Sequence, residues 1–97
     1  MDAPTIYFLQ QTPPDGPVKI GYTKRKVRTR VGEAQTFSAT KLFVLVEVMG
    51  TKDHEKALHR AFSHLRIRGE WFSYGGEIRD LVCHLVEGGT LSSWLPQ

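Results

Sequence analysis

The hydrophobic positions of this chain follow two periods, one typical of strands and one typical of helices. Residues 5–9 and 18–22 are short apolar segments rich in β-branched and aromatic residues, and the run PPDGP lies between them at residues 13–17. Proline fixes φ and removes a backbone donor, and Asp-Gly accepts positive φ, so the two segments are predicted to pair as a β-hairpin. Residues 41–48 form a strongly apolar run that is predicted to be a further, central strand.

Three helices are predicted to accompany these strands. The first covers residues 25–35, the second residues 53–66 and the third residues 77–86, because apolar residues recur there at helical spacing. Thr51 or Asp53 is expected to cap the second helix. The apolar positions of the first two helices are Val27, Val31 and Ala34, then Ala57, Leu58, Ala61, Phe62 and Leu65. The predicted order of elements is ββαβαα, a small sheet with helices packed on it, which is an α/β (α+β) fold.

The composition is that of one ordinary globular domain. Of the 97 residues, 40% are hydrophobic and 24% charged. No apolar run approaches the roughly 20 residues that span a membrane, and no secretory leader opens the chain. The single cysteine, Cys83, excludes an internal disulfide framework and fits a reducing compartment. We therefore expect a cytoplasmic protein with no membrane partner, made of a domain at residues 1–87 and a C-terminal tail at residues 88–97.

Basic residues are concentrated in one short stretch, although the formal net charge is only +3. Six of them fall within residues 19–30. Such a cluster is typical of a phosphate-binding surface, and the alternative is an ordinary solvated helix face. The six residues are Lys19, Lys24, Arg25, Lys26, Arg28 and Arg30.

The predicted hairpin gathers polar groups on one face. Strand alternation directs Lys19 and Gly21 to one side of the sheet and Ile20 and Tyr22 to the other. The hydroxyl of Tyr7 and the ammonium of Lys19 could then share a face on which Gly21 leaves space. The alternative is a half-buried strand pair in which the tyrosine only packs and the lysine is solvated.

The second helix carries a candidate metal ligand. Glu55 and His59 are four residues apart, so both lie on a stripe bordering the apolar face. A carboxylate there could hold a hard divalent cation together with water molecules, and the alternative is an ordinary contact along the helix. Zinc is not expected, because His54 and His59 lie about 140° apart on a helix and a single cysteine provides no thiolate site. The sequence has neither a glycine-rich phosphate loop nor a serine-hydrolase elbow.

These motifs, taken together, resemble those of a known family. Ile-Tyr at residues 6–7 followed by Lys-Ile-Gly at residues 19–21 is similar to the paired motif of the GIY-YIG endonuclease superfamily. The nearest branch is that of phage and meiotically up-regulated gene proteins. Three later motifs match it in order: R-x-x-x-A-Q-T at residues 30–36, E-x-x-L-H-x-x-F at residues 55–62, and G-E-W-F at residues 69–72. The resemblance covers roughly residues 4–86.

The resemblance implies a three-stranded antiparallel sheet flanked by helices and a metal-dependent endonuclease. The expected cofactor is one Mg²⁺ or Mn²⁺ ion, and the expected substrate is DNA, with RNA as the alternative. Tyr7 would help to deprotonate the attacking water, Arg30 would bind the scissile phosphate, and Glu55 would hold the metal. With few elements to read base edges, sequence specificity is expected to be weak.

The chain departs from the family pattern at two positions. Thr5 replaces the first glycine, and Lys19 replaces the usual second-motif tyrosine. An ammonium beside Tyr7 would favour its phenolate form. His59 is expected either to support the metal ligand or to contact substrate. Tyr22 is expected to pack on the other face, and Glu70 is expected either to cap a helix or to lie near the metal.

Two other functions remain open from the sequence. One is a non-catalytic nucleic-acid-binding module of the same fold, using Lys24, Arg25, Lys26, Arg28 and Arg30. The other is a protein-interaction domain using Trp71, Trp94 and the tail. A fused or separate DNA-targeting domain is a candidate partner for the nuclease.

Overall fold

The computed structural model describes residues 3–36 and 38–95. The outer ends of the predicted domain and tail, residues 1–2 and 96–97, and residue 37 lie outside the described residues. The strands are β1 (Thr5–Gln11), β2 (Val18–Thr23), β3 (Leu42–Met49), β4 (Arg66–Arg68) and β5 (Trp71–Phe72). The helices are α1 (Val27–Thr36), α2 (Lys52–Ala61), α3 (Gly76–Val86) and the single turn α4 (Leu91–Trp94), with a 3-10 turn at Ser63–Leu65.

The fold is a small mixed α+β domain built on one antiparallel sheet, with strand order β3-β1-β2-β5-β4. The predicted hairpin is confirmed: β1 pairs with β2 in a register that sets Tyr7 opposite Gly21 and Leu9 opposite Lys19. The third predicted strand, β3, pairs with the other edge of β1. β3 therefore lies at one edge of the sheet, and the prediction that residues 41–48 form the central strand is wrong.

The expected three-stranded sheet is also wrong, because the sheet has five strands. The two additional strands, β4 and β5, have three and two residues and pair with each other across a turn at Gly69, whose φ is +55°. Segments this short show no hydrophobic period, so alternation does not reveal them. They lie at and next to the Gly-Glu-Trp-Phe motif, which therefore forms part of a hairpin.

The second helix is shorter than predicted. α2 begins after the N-cap Thr51, whose side chain accepts from the His54 amide, and it ends at Ala61 rather than at residue 66. Because the helix ends early, Arg66 belongs to β4. Of the predicted apolar face, Leu58 and Phe62 are buried, whereas Ala61 is exposed. The capping prediction for Thr51 is confirmed.

Helices cover both faces of the sheet and give two apolar clusters. The larger cluster joins one sheet face to α2 and α3, and Tyr22 packs against it as expected. The smaller cluster joins the other face to α1 through Val27, with Val31 and Ala34 packed beside it. Tyr7 belongs to this smaller cluster and is only 1% exposed.

The last turn of the chain also contributes to the larger cluster. Leu91, in α4, is 2% exposed and packs with Ile6 against Gly50, where an added Cβ would lie 2.9 Å from Leu91 Cδ1. A residue of the predicted tail is therefore part of the core. Among the described residues, no helix is both long enough and apolar enough to cross a membrane.

The pairing of Tyr7 with Gly21 is a packing requirement. A Cβ built at Gly21 would overlap Cζ and Oη of the Tyr7 ring. We expect Gly21→Ala to reduce the free energy of unfolding by about 1–3 kcal/mol, because the ring must shift within a packed cluster. Thermal unfolding followed by circular dichroism would measure this.

The matched control is Gly32→Ala, the same change in the middle of α1, where an added Cβ meets nothing within 4 Å. It should stabilise the protein by about 0.5–1 kcal/mol, because alanine favours the helix. Equal effects of the two substitutions would contradict the proposed clash.

Candidate metal and nucleic-acid site

The candidate site is built around the outer edge of β2, where strand β5 ends. β5 pairs only with Val18 and Lys19 of β2. The next residue, Ile20, is fully buried, and its backbone groups still require partners. Its amide donates to the carbonyl oxygen of Glu70 at 3.1 Å, and its carbonyl oxygen lies 2.9 Å from His59 Nε2. Both backbone groups of Ile20 are thus hydrogen-bonded, and these two bonds bring Glu70 and His59 close together.

The contact with Ile20 fixes which nitrogen of His59 carries hydrogen. A carbonyl oxygen only accepts, so Nε2 is the donor and Nδ1 is the nitrogen with a lone pair in the neutral ring. The ring also lies against Phe72, with 5.1 Å between the ring centroids. His59 is therefore held in position from two sides.

Three potential metal ligands converge beside this edge. One ligand atom from each of Glu55, His59 and Glu70 lies within 4.8 Å of the others. Glu55 and His59 come from consecutive turns of α2, as their spacing predicted, and Glu70 comes from the turn between β4 and β5. The side chain of Glu55 is only 5% exposed.

Each of the two carboxylates is paired with a lysine. Lys52 Nζ lies 2.8 Å from Glu55 Oε1, and Lys19 Nζ lies 3.7 Å from Glu70 Oε2. The hydrogen bond to Glu55, together with the charge of that carboxylate, raises the pKa of Lys52 above its ordinary value. The four charges sum to zero, so the cluster is electrically balanced.

On the opposite face of the sheet, Tyr7 meets Arg30 of α1. The side-chain hydrogen bond that Arg30 donates to Tyr7 raises the pKa of the guanidinium above its ordinary value, and the charges of Glu33 and Glu70 add to this rise against the effect of partial burial. A cleft of about 190 Å³ lies next to this pair and is lined by Lys19, Arg30, Glu33 and Ala34.

Glu70 links the two halves of the site. It pairs with Lys19, and its charge acts on both Arg30 and Lys52. The structure thus brings the predicted site residues into two neighbouring groups. The first joins Tyr7 and Arg30, and the second joins Glu55, His59 and Glu70, while Tyr22 stays in the core with Lys52 Nζ 5.6 Å from its ring centroid.

The predicted nucleic-acid-binding residues outside this cluster lie at the start of α1 and just before it. Lys24, Arg25, Lys26 and Arg28 are all exposed. Arg25 is paired with Glu33 at 2.7 Å, and the same carboxylate lies 3.5 Å from Arg30. The charge available to a phosphate is therefore greatest at the three residues Lys24, Lys26 and Arg28.

Sequence reasoning missed Lys52 and left Glu70 undecided. Lys52 is three residues before Glu55, a spacing that predicts an ion pair once the helix start is known. Glu70 depends on the β4–β5 hairpin, which carried no periodic signal. The sequence contains one sign of the turn in this hairpin, which is the glycine at position 69. Glycine readily adopts the positive φ that tight turns require, and Gly69 has such a φ in the structure.

The fold and the site define a small α+β domain with a carboxylate–imidazole cluster and a basic helix start. Residues 5–86 match the sequence model of the T5orf172 domain, and the chain belongs to that family. This is a phage-associated domain that is linked to nuclease-type folds. Comparison with curated proteins and with solved structures gave no significant match.

The exposed basic residues lead to a prediction about salt dependence. If Lys24 and Arg28 contact phosphates, the double variant Lys24→Glu/Arg28→Glu should bind duplex DNA more weakly for all sequences alike. The slope of log K against log salt should fall by roughly 1–2, because fewer counterions are released. Fluorescence anisotropy across a salt series would measure both effects.

The matched control reverses the same number of charges on the exposed side of α2, as Lys56→Glu/Arg60→Glu. If it reduces the slope as much as the α1 variant does, the effect is one of net charge and α1 is an ordinary solvated helix.

Proposed function

We propose that this protein is a metal-dependent endonuclease of the GIY-YIG type that hydrolyses phosphodiester bonds in nucleic acid. The observation that carries the proposal is the buried carboxylate of Glu55, which meets His59 and Glu70 within 4.8 Å at the edge of β2. The Tyr7–Arg30 pair on the opposite face, linked to the first group through Glu70, would provide the second half of a phosphodiesterase site.

The residues present fit a divalent cation. Carboxylate oxygens suit Mg²⁺ and Mn²⁺, and the imidazole nitrogen that remains on His59 suits the softer of the two. Glu55 would hold the ion, with His59 and Glu70 next to it. When bound, such an ion would stabilise the negative charge that develops on the leaving oxygen.

The remaining chemistry falls to side chains of the chain itself. Arg30 offers a planar fork of donors, which suits two oxygens of one phosphate. Its present partner, Tyr7, would then be released to orient the attacking water through its hydroxyl oxygen. Only after losing its own proton to solvent, as the phenolate, could Tyr7 accept a proton from that water. Lys19 lies on the same sheet face and lines the adjoining cleft, where its charge would attract the phosphate backbone.

We expect DNA as the substrate, with RNA tested beside it. The exposed cations lie before and within the first turns of α1, where they would contact backbone phosphates, which carry no sequence information. Sequence selection would then require a fused or separate DNA-targeting domain. A non-catalytic binding module is the second candidate, because Glu55 is already neutralised by Lys52 and Tyr7 is covered.

The decisive test of the proposal is Glu55→Gln. Glutamine keeps the volume and helix propensity but removes the charge that a hard cation requires. Cleavage of DNA in Mg²⁺ or Mn²⁺ should fall by about two to four orders of magnitude. Binding in EDTA should be unchanged or slightly tighter, because a negative charge has left a phosphate site.

Wild type and variant should be purified in parallel and tested on single-stranded and duplex DNA and on RNA, with the metal titrated in. If both cleave equally, the activity does not come from this site. If neither cleaves but both bind, the protein is a binding module.

Tyr7→Phe separates rate from binding. Phenylalanine keeps the ring that fills the space over Gly21 and removes only the hydroxyl that Arg30 contacts, so stability should fall by no more than about 1 kcal/mol. Single-turnover cleavage should slow at least tenfold while the Kd for DNA stays within about twofold. An unchanged rate would exclude Tyr7 from the chemistry.

A further inference from the structure

We infer that Glu55, His59 and Glu70 together form a three-ligand cation site that prefers Mn²⁺ to Mg²⁺, in place of a single-glutamate site completed by water. The inference rests on the proposed function for the purpose of the ion, but it concerns only which side chains bind the ion and which ion they select. It assigns a direct ligand role to His59 and to Glu70.

Each of the three ligand residues is held in place by a contact that does not involve the atom it would offer to the metal. His59 uses Nε2 on the carbonyl of Ile20, which leaves Nδ1 for a metal. Glu70 is fixed through its backbone carbonyl oxygen, which accepts from the amide of the same residue, and this contact does not involve its carboxylate. Glu55 projects from the middle of α2, one turn before His59. Such positioning of ligands by neighbouring groups is how proteins preorganise a metal site.

The carboxylates of this site already attract cations. Glu55 is paired with the ammonium group of Lys52, and Glu70 with that of Lys19. Buried carboxylates require a cationic partner, and Lys52, itself mostly exposed, can leave for solvent at little cost. A divalent ion would therefore replace Lys52 at Glu55.

The types of ligand in this site also determine which ion it selects. Mg²⁺ favours oxygen ligands and retains most of its water, whereas Mn²⁺ binds imidazole more strongly. A site with one imidazole and two carboxylates should therefore favour Mn²⁺. Removal of the imidazole should lower the preference, and removal of a carboxylate should weaken the binding of both ions.

The test measures binding of MnCl2 to the metal-free full chain in the absence of nucleic acid, by electron paramagnetic resonance of free Mn²⁺, with MgCl2 as competitor. Wild type should bind Mn²⁺ at least about tenfold more tightly than Mg²⁺. His59→Gln keeps a donor for the Ile20 carbonyl and should reduce this ratio towards one. Glu70→Gln should weaken Mn²⁺ binding by about tenfold or more.

Two lysine variants test the competition. Lys52→Met should tighten Mn²⁺ binding several-fold, because the competing ammonium is gone, and Lys56→Met, one turn further along the same helix, should have no effect. His64→Gln is the control for histidine, because His64 pairs with Glu77 elsewhere on the surface. Thermal unfolding of each variant checks that the fold is retained.

The inference is overturned if His59→Gln and Glu70→Gln bind both ions as wild type does while Glu55→Gln does not, which would leave a single-glutamate site. It is equally overturned if wild type shows no preference for Mn²⁺. Neither result affects the proposed nuclease, which depends on cleavage by wild type and its loss in Glu55→Gln.

Discussion

The whole site depends on how one buried residue completes its backbone hydrogen bonds. Ile20 lies in the core with both its amide and its carbonyl directed to the outer edge of β2, and an unpaired buried backbone group costs about 1–3 kcal/mol. A long neighbouring strand would satisfy both groups and leave no room for a site. Here the neighbour ends early, and a turn carbonyl and a histidine take its place. The fold is therefore stabilised by the same two residues that lie beside Glu55.

The sequence predicted those parts of the structure that repeat with a period. Strand alternation and helical spacing account for three features: the β1–β2 hairpin, the helical face with Leu58 and Phe62, and the space that Gly21 leaves for Tyr7. β4 and β5 do not, because their pairing depends on tertiary contacts. Glu70 lies in the turn between them, so the sequence left open whether it caps a helix or lies near the metal. The GIY-YIG resemblance correctly led to an antiparallel sheet with helices but predicted too few strands.

The charges of the site are arranged in matched pairs across both faces of the sheet. Lys52 pairs with Glu55 and Lys19 pairs with Glu70, and each of these pairs is neutral. Arg25 and Arg30 share the single carboxylate of Glu33, so this third group keeps one positive charge. Most of these pairs are exposed enough to contribute little stability, about 0–1 kcal/mol each. If the protein binds nucleic acid as proposed, their effect would be on binding, because a phosphate would have to take a cation from its carboxylate. Each cation that moves to a phosphate leaves a carboxylate unpaired, so phosphate binding and metal binding should reinforce each other.

The folded unit extends beyond the family match, because Leu91 is part of the core. The family match ends at residue 86, yet Leu91 is buried against Ile6 and Gly50, at the start of β1 and just after β3. If the chain ended at residue 86, the apolar surface that Leu91 covers beside Gly50 would be exposed to solvent. Gly50 directly precedes Thr51, the N-cap of α2. Loss of order there would spread to the helix that carries Glu55. The last turn therefore packs on the same face of the sheet as α2 and supports the helix that carries Glu55.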